Sequence, residues 1–252
     1  MPSGLLVLRE NVLVVVPAFN EARNILPVID DLKRLGCNFI VVNDYSKDNT
    51  AQLVENTNSI VLNLPFNLGV GGALRTGFRY ATENGFAAVI QVDADGQHPI
   101  NQISDLIDYS NNSGADMVIG SRFLQETLSM KVAILRRFAM KTLSFTASRA
   151  VGYQITDSTS GFRLIRGQLL RELAVKLPVT YLGDTFESVI AAGHAGYKVR
   201  EIPASITDRL AGKSSASTYS GIKFSIKCLL ISGLALYPAI AQCDSEPHFA
   251  PN

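Results

Sequence analysis

Cysteine is scarce in this 252-residue chain: Cys37, Cys228 and Cys243 are the only three, and they lie far apart. That is too few for a disulfide framework, and the spacing suits no zinc site, so a reducing, cytoplasmic compartment is the simplest reading. An excess of charge is also missing. Lys and Arg number 23 against 22 Asp and Glu, a net charge of +1, and charged residues make up only 18% of the chain. A protein that holds nucleic acid by bulk positive charge does not look like this, so nucleic acid is excluded as a partner. Long hydrophobic runs are lacking as well. The N-terminal stretch is apolar but broken by Arg9, Glu10 and Asn11, and it has neither the basic start nor the apolar core of a signal peptide. The most apolar stretch, residues 228–241, contains Gly233 and Pro238 and falls short of the ~20 residues that span a bilayer.

What the chain does have is apolar substance. Hydrophobic residues reach 47%, enough to bury a sizeable core and to exclude disorder over most of the length. In the first half, short β-branched runs at residues 12–16, 39–42, 59–62, 87–92 and 117–119 read as buried strands. Segments 21–35, 47–56, 71–83 and 100–111 between them have helical length and polarity, with Pro99 at the start of the last. Alternation at this spacing predicts an α/β protein with a doubly wound, mostly parallel central sheet. Ligands of such sheets bind beyond the carboxyl ends of the strands. From about Leu124 the alternation breaks: residues 130–149 form a basic helical pattern, 161–165 a strand, 183–195 a helix and 198–202 a strand.

The sharpest motif, VDADGQH at residues 92–98, directly follows a predicted strand. Asp93 and Asp95 are separated by one residue, and carboxylates so close repel unless a cation joins them. Mg²⁺ or Mn²⁺ prefers oxygen ligands and commonly shares its shell with a diphosphate. Gln97 adds an amide oxygen, and His98 a nitrogen ligand or hydrogen-bond donor. The first strand ends in VVVPAFNEARNI, where Pro17 stops the strand; Asn20 and Glu21 either face a nucleotide or cap the next helix. The second ends in VVNDYSKDNT. Asp44 at its tip either accepts from a base or ribose or is a turn residue beside a Ser46 or Asp48 cap. NLGVGGALRTGF, residues 67–78, puts three glycines before a helix, but it fits neither the dinucleotide fingerprint nor a P-loop. Close approach of the chain to a ligand is what remains of that signal.

Two basic segments sit within the neutral total. Residues 129–149 carry Lys131, Arg136, Arg137, Lys141 and Arg149 and no acid. Residues 198–227 hold six basic residues against Glu201 and Asp208. Either can serve an anionic ligand or lipid headgroups, or simply form a solvated face. Following them, residues 222–236 read IKFSIKCLLISGLAL, with Lys223 and Lys227 one turn apart. That pattern suits a helix lying on a membrane surface or one closing the core. The expected organisation is a catalytic domain over residues 1–218 and an apolar, membrane-associating helix with a polar tail over 219–252.

PAFNEARNI, VVNDYSKDNT, NLGVGGALRTGF, QVDADGQHP and ADMVIGSRF, followed by DSTSGFRLIR, GDTFES, GYKVREIPASITDR and R-x-x-G-K-S at 209–214, resemble in order and spacing the family 2 glycosyltransferases. The nearest likeness is to the dolichyl-phosphate mannose or polyprenyl-phosphate sugar synthase type. The resemblance implies a GT-A fold and an inverting, metal-dependent transfer, with Mg²⁺ or Mn²⁺. The donor would be a GDP- or UDP-linked sugar. The acceptor would be a polyprenyl phosphate or another lipid or glycan, at the inner face of a membrane. Carried across, Pro17, Ala18, Glu21, Asp44, Gly69 and Arg75 would line the nucleotide, while Asp93, Asp95 and Gln97 would hold metal and diphosphate. Arg122, Arg136, Arg137, Arg163, Arg209 and Lys213 would meet phosphates; Arg163 is equally a structural ion-pair donor. The family usually has an acid where this chain has Asn43 and a glycine where it has Tyr45, which bears on base or ribose recognition.

A lipid phosphate acceptor is already a nucleophile. A hydroxyl acceptor needs a base, for which Asp184 and Glu187, three apart at a helix start, are the candidates; a carboxylate pair favoured by the helix dipole is the alternative. His194 reads as a residue near a helix C-terminus. Two other functions share parts of the pattern. A sugar-1-phosphate nucleotidyltransferase would want a Gly-rich basic loop after the first strand, where this chain has PAFNEARN. A non-catalytic, membrane-associated nucleotide-sugar-binding protein would have no need of the Asp93–Asp95 pair.

Overall fold

The computed structural model describes residues 6–124, 134–177 and 184–207, with the backbone alone at 134–139 and 184. Seven strands form one sheet in the order β3-β2-β1-β4-β6-β5-β7. They are β1 (Val12–Ala18), β2 (Asn38–Asn43), β3 (Val61–Asn63), β4 (Ala88–Gln91), β5 (Met117–Ser121), β6 (Arg163–Arg166) and β7 (Val199–Pro203). The helices are α1 (Ile25–Arg34), α2 (Thr50–Glu55), α3 (Gly69–Glu83), α4 (Ile103–Ser113), α5 (Ile134–Val151), α6 (Gly167–Lys176) and α7 (Asp184–His194).

The unbroken β-branched runs have a simple cause: both faces of the sheet are covered. Leu13, Val15, Ile40, Val42, Val89 and Ile119 point into one core with Leu74 and Phe78 of α3, Leu143 of α5, Leu170 of α6 and Phe186 of α7. Val12, Val14, Val16, Val41, Ile90 and Val118 point into the other, with Ile25 and Ile29 of α1, Val54 of α2 and Leu106 of α4. Alternate residues of one strand thus serve opposite cores, as the two-residue period of a strand requires.

β1 pairs in parallel with β2 on one side and β4 on the other. The chain therefore reverses its direction of sheet growth between β1 and β4, which opens a crevice beyond their carboxyl ends. Pro17 does not stop its strand: β1 runs on through the pairs Pro17↔Val42 and Ala18↔Asn43. Pairing to β4 ends earlier, at Val15↔Gln91, so a residue without an N–H is tolerated on that open flank. β6 is antiparallel to both β4 and β5. Its first residue, Arg163, lies opposite Gln91 and Ile119, so the segment preceding β6 is delivered to the same edge as the segments following β1, β4 and β5.

Helix α6 escaped the sequence reading, as did the late start of α1, which is preceded by turns rather than helix from Glu21. Among the described residues no helix is long and apolar enough to cross a membrane. Residues 219–252 and the boundary at 218 lie outside the described residues.

Helix packing on the α3 side depends on small residues. A Cβ on Gly77 of α3 would run into the Val15 side chain, and one on Gly193 of α7 would stand 2.6 Å from the carbonyl carbon and oxygen of Ala150 in α5. Backbone cannot yield as a side-chain tip can. Gly193→Ala should therefore destabilise the fold by about 1–3 kcal/mol despite the better helix propensity of alanine, read as a lower urea midpoint at unchanged slope.

Candidate active site

β4 ends at Gln91, and the chain turns out over the crevice through Asp93 and Asp95. Three contacts orient Asp93. Its backbone N–H donates to His98 Nδ1 at 2.9 Å, its Oδ1 accepts from Gln91 Nε2 at 3.2 Å, and its Oδ2 lies 3.5 Å from His98 Nε2. Because His98 Nδ1 is an acceptor, the imidazole proton sits on Nε2, facing the carboxylate. His98 is buried at 8% exposure, its ring 5.4 Å from that of Phe162. Both its nitrogens are turned to Asp93, so it orients that carboxylate.

The Asp93 side chain keeps 39% exposure. Asp95 Oδ1 accepts from the Gln97 N–H at 3.1 Å, which closes the turn. Gln97 Nε2 donates to the Thr207 carbonyl at 2.9 Å, and the Gln97 carbonyl accepts from Thr207 N–H at 3.0 Å. The amide nitrogen is thereby fixed, and Oε1 is left as an acceptor. Opposite stands Gly161, where a Cβ would lie 2.9 Å from Gln91 Nε2 and 3.1 and 3.2 Å from the two Asp93 oxygens. The missing side chain preserves a cradle beside a partly exposed carboxylate. Hard oxygen donors around that space fit Mg²⁺ or Mn²⁺. Among the described residues no three His, Cys, Asp or Glu side chains form a complete metal cage.

A second wall of the crevice is built from the ends of β1 and β2. Asn20 and Tyr45 both adopt left-handed backbone, at φ 57° and 62°, which costs a non-glycine residue roughly 1 kcal/mol or more. They are held there by cross-links. Asn20 N–H donates to Ser46 Oγ at 2.9 Å, and Asn20 Oδ1 accepts from Lys47 N–H at 2.7 Å. Asn20 is thus a tie between two loops; it does not cap α1. Glu21 N–H donates to Thr50 Oγ1 at 2.9 Å, and its carboxylate accepts from Asn24 Nδ2 at 2.7 Å. Asp48 accepts from the N–H groups of Thr50 and Ala22. Those bonds outweigh its partial burial and hold its carboxyl below the usual range. Asn43 donates to Asn63 Oδ1 at 2.8 Å and accepts from Ser46 N–H at 3.2 Å. An aspartate there would have no proton for Asn63, so the departure from the family pattern is matched by a local partner.

Asp44 is buried, with Oδ1 accepting from Leu68 N–H at 2.7 Å. Burial pushes its carboxyl above the ordinary 3.8, against the opposing pull of the Leu68 and Gly69 N–H groups. It ties the end of β2 to the start of α3, where Gly69 has φ 77°. Pro17, Ala18, Asp44 and Gly69 are thus brought together. Arg75 lies further along α3, with no hydrogen bond to them.

Arg122 follows β5; its side chain is bonded twice to Asp157, Nε–Oδ2 at 2.7 Å and Nη2–Oδ1 at 2.8 Å, and its backbone N–H donates to Asp157 Oδ2 at 3.2 Å. Burial works against its charge, but the bonds to Asp157 and the charges of Asp157 and Asp93 hold it more firmly protonated than a free arginine. Arg163 is interior at 1% exposure. It donates to the Ser160 and Thr185 carbonyls and to Ser188 Oγ at 3.0 Å. That burial suits the structural role, the ion-pair and hydrogen-bond donor that the sequence offered as the alternative to a phosphate contact. Arg163 nevertheless joins α7 to the site, since Gln91, Arg163, Thr185 and Ser188 line one small cavity. Glu187 is half-buried on α7, and His194 is exposed at its last turn. The side chains of Arg136, Arg137 and Asp184, and all of Arg209 and Lys213, lie outside the described residues.

Sequence reasoning passed over Asp157, Glu201 and Gly161. The first and last lie in DSTSGFR, a stretch read for its resemblance and for Arg163 alone, and Glu201 counted only as a charge in a basic segment.

The chain's residues 13–174 match the profile of glycosyl transferase family 2. The UDP-N-acetylglucosamine–dolichyl-phosphate N-acetylglucosaminyltransferase of Methanococcus voltae is 30% identical over 75% of this chain and 83% of its own length. The polyprenol monophosphomannose synthase of Mycolicibacterium smegmatis is 29% identical over 82% of each. Among solved structures, glucosyl-3-phosphoglycerate synthase from Mycobacterium tuberculosis in complex with Mn²⁺, UDP-glucose and phosphoglyceric acid superposes with a TM-score of 0.67. It is 18% identical and covers 91% of this chain and 81% of that one. That likeness defines the fold as GT-A-like, a mixed, mostly parallel sheet covered by helices. The chain belongs to glycosyl transferase family 2 and is a glycosyltransferase, which displaces both the nucleotidyltransferase and the non-catalytic readings.

Two outcomes follow from the geometry. Gly161→Ala should push a methyl group against both Asp93 oxygens and weaken Mn²⁺-dependent UDP or GDP binding about tenfold or more (~1.4 kcal/mol), with the fold retained by circular dichroism. Asp44, whose folded-state pKa is raised, binds its proton more tightly in the native chain than in the unfolded one. Its contribution to stability is therefore full below the ordinary value of 3.8 and lost as pH rises through the raised value. Urea unfolding from acid to neutral pH should show the parent losing stability relative to Asp44→Asn as pH rises; a difference independent of pH would refute the shift.

Proposed function

We propose that the chain transfers a hexose from a GDP- or UDP-linked sugar to the phosphate of a polyprenyl, dolichyl-type carrier, with inversion at the anomeric carbon and with Mg²⁺ or Mn²⁺. The observation that carries this reading is the partly exposed Asp93 carboxylate, oriented by His98 and Gln91 and facing the Gly161 cradle. Relatives named for dolichyl-phosphate and polyprenol acceptors support the acceptor class, as does an undecaprenyl-phosphate mannosyltransferase of Micrococcus luteus, 27% identical over 82% of this chain.

Asp93, Asp95 and the Gln97 amide oxygen would hold the metal, which when bound neutralises negative charge developing on the leaving diphosphate. Pro17, Ala18, Glu21, Asp44, Gly69 and Arg75 would line the nucleoside. Arg122, with Arg136, Arg137, Arg209 and Lys213, would face phosphate oxygens. Thr207, bonded to Gln97 beside Asp95, leads directly in the chain to the Arg209–Lys213 stretch. An acceptor phosphate oxygen forms the new bond to the anomeric carbon while the bond to the diphosphate oxygen breaks. That oxygen carries no proton to be removed, so no general base is required. With a hydroxyl acceptor on a glycan or lipid, Asp184 or Glu187 would take the proton. The apolar 222–236 stretch with Lys223 and Lys227 would bring the crevice to the inner face of a membrane, making the protein peripheral.

The deciding assay incubates the full chain with Mn²⁺, farnesyl or longer polyprenyl phosphate and a panel of GDP- and UDP-sugars, and follows sugar entering the organic phase. One donor should yield a lipid-linked sugar, and Asp95→Asn should lower kcat by about 100-fold or more, on the order of 3 kcal/mol. Turnover by Asp95→Asn at the parental rate in chelator would refute the metal assignment, and absence of any lipid-linked product would refute the acceptor class.

A further inference from the structure

The segment between α5 and β6 is tied down far more heavily than a surface connection needs. Buried Glu201 of β7 accepts from Thr156 N–H at 2.7 Å and Thr156 Oγ1 at 2.8 Å on one oxygen, and from Asp157 N–H at 2.7 Å on the other. Ser160 Oγ donates to the Gly120 carbonyl at 2.6 Å, and the Ser121 and Thr156 hydroxyls are 2.8 Å apart. α5 joins in: Ser148 Oγ accepts from Ile155 N–H at 2.9 Å.

Two residues of this segment face the site. Gly161 backs onto the Asp93 oxygens. Asp157, whose side chain is wholly buried, grips Arg122 through Nε and Nη2, while Thr159 Oγ1 accepts from Nη2 at 3.0 Å. Arg122 Nη1 is left with no hydrogen bond among the described residues, on a side chain 29% exposed. Arg122 feels the charge of Asp93, yet the two form no ion pair. Gripped at one edge by Asp157, it has already lost its rotamer freedom and is ordered before a ligand arrives.

We propose that Asp157, seated by Glu201, is a positioning residue that fixes Arg122 and presents its Nη1 edge to a phosphate group in the crevice. The inference rests on the phosphate-using transfer proposed above. The phosphate belongs either to the acceptor or to the donor diphosphate, and the test separates them.

Calorimetric titrations of the full chain use farnesyl phosphate in one arm and UDP or GDP with Mn²⁺ in the other. Arg122→Ala and Asp157→Asn should each weaken binding in at least one arm about tenfold; the farnesyl arm assigns the acceptor phosphate and the nucleotide arm the donor. Asp157 also accepts from the Arg122 backbone N–H at 3.2 Å, a bond that Arg122→Ala keeps; the side-chain grip is nonetheless lost with the arginine, so Asp157→Asn should cost much less binding on the Arg122→Ala background than on the parent. A purely structural Asp157 would cost the same factor with or without Arg122, and that result, or parental binding by Asp157→Asn in both arms, overturns the proposal. If Asp157→Asn does not fold, Arg122→Lys decides: an ammonium cannot hold both Asp157 oxygens and still offer a free edge. Tenfold weakening supports the clamp, and parental affinity overturns it. Sugar transfer by the parent is assayed alongside. Non-additive binding without transfer sinks the proposed function and leaves the clamp standing, whereas transfer with additive binding does the reverse.

Discussion

Much of the active edge depends on one antiparallel strand. β6 enters between β4 and β5 against their direction, so the chain reaches it from the carboxyl edge of the sheet. In a wholly parallel sheet the segments preceding strands lie at the opposite edge, and Gly161 and Asp157 would be a full strand length from Asp93. Insertion has a cost: Arg163, at the first position of β6, is forced into the interior. A buried guanidinium is tolerated only when its donors are answered. The carbonyls of Ser160 and Thr185 and the Ser188 hydroxyl answer them, and in doing so draw the start of α7 toward Gln91. The charge that makes the strand expensive to bury thus also fixes the neighbours of the site.

Carboxylates divide by burial into two uses. Asp44 and Glu201 are buried and accept backbone N–H bonds from segments distant in sequence, Leu68 in one case and Thr156 and Asp157 in the other. Burial raises both pKa values, against those bonds; for Glu201 the charge of Asp157 adds to the rise. Their function is to organise loops. Asp93 is held by donors but remains partly open, so its charge stays available to a ligand. The same side-chain chemistry becomes scaffold or site according to how many of its lone pairs the fold has already engaged.

The parallel half of the fold was legible because strands buried on both faces leave continuous Val and Ile runs, and these located β1, β2, β4 and β5 to within two residues. β3 was found to the same margin, starting two residues later than expected and ending one later. α6 was missed because GQLLRELAVK follows β6 without a connecting loop, so no turn separates the strand pattern from the helix pattern. The Asp93–Asp95 motif was legible from local spacing alone. Asp157 and Glu201 were not, since their meaning lies in bonds spanning 35 and 44 residues, and no local pattern carries a pairing of that range. Pro17 was misread as a strand end because the rule against proline in strands assumes a partner on both flanks.

The two sides of the crevice are consequently held by different physics. The side at the ends of β1 and β2 is stitched by bonds between the adjacent loops, Asn20 with Ser46 and Lys47, Asn43 with Ser46 and Asn63. These ties are short-range in space and partly exposed. The side around Arg122 is coupled to the fold itself: Glu201 belongs to β7, Arg163 to β6 and Gly161 to the wall of Asp93. Substitution there strains strands as well as the site. Change in the first set of loops is therefore physically inexpensive, while the geometry around Arg122 and Asp93 is bound to the stability of the whole sheet.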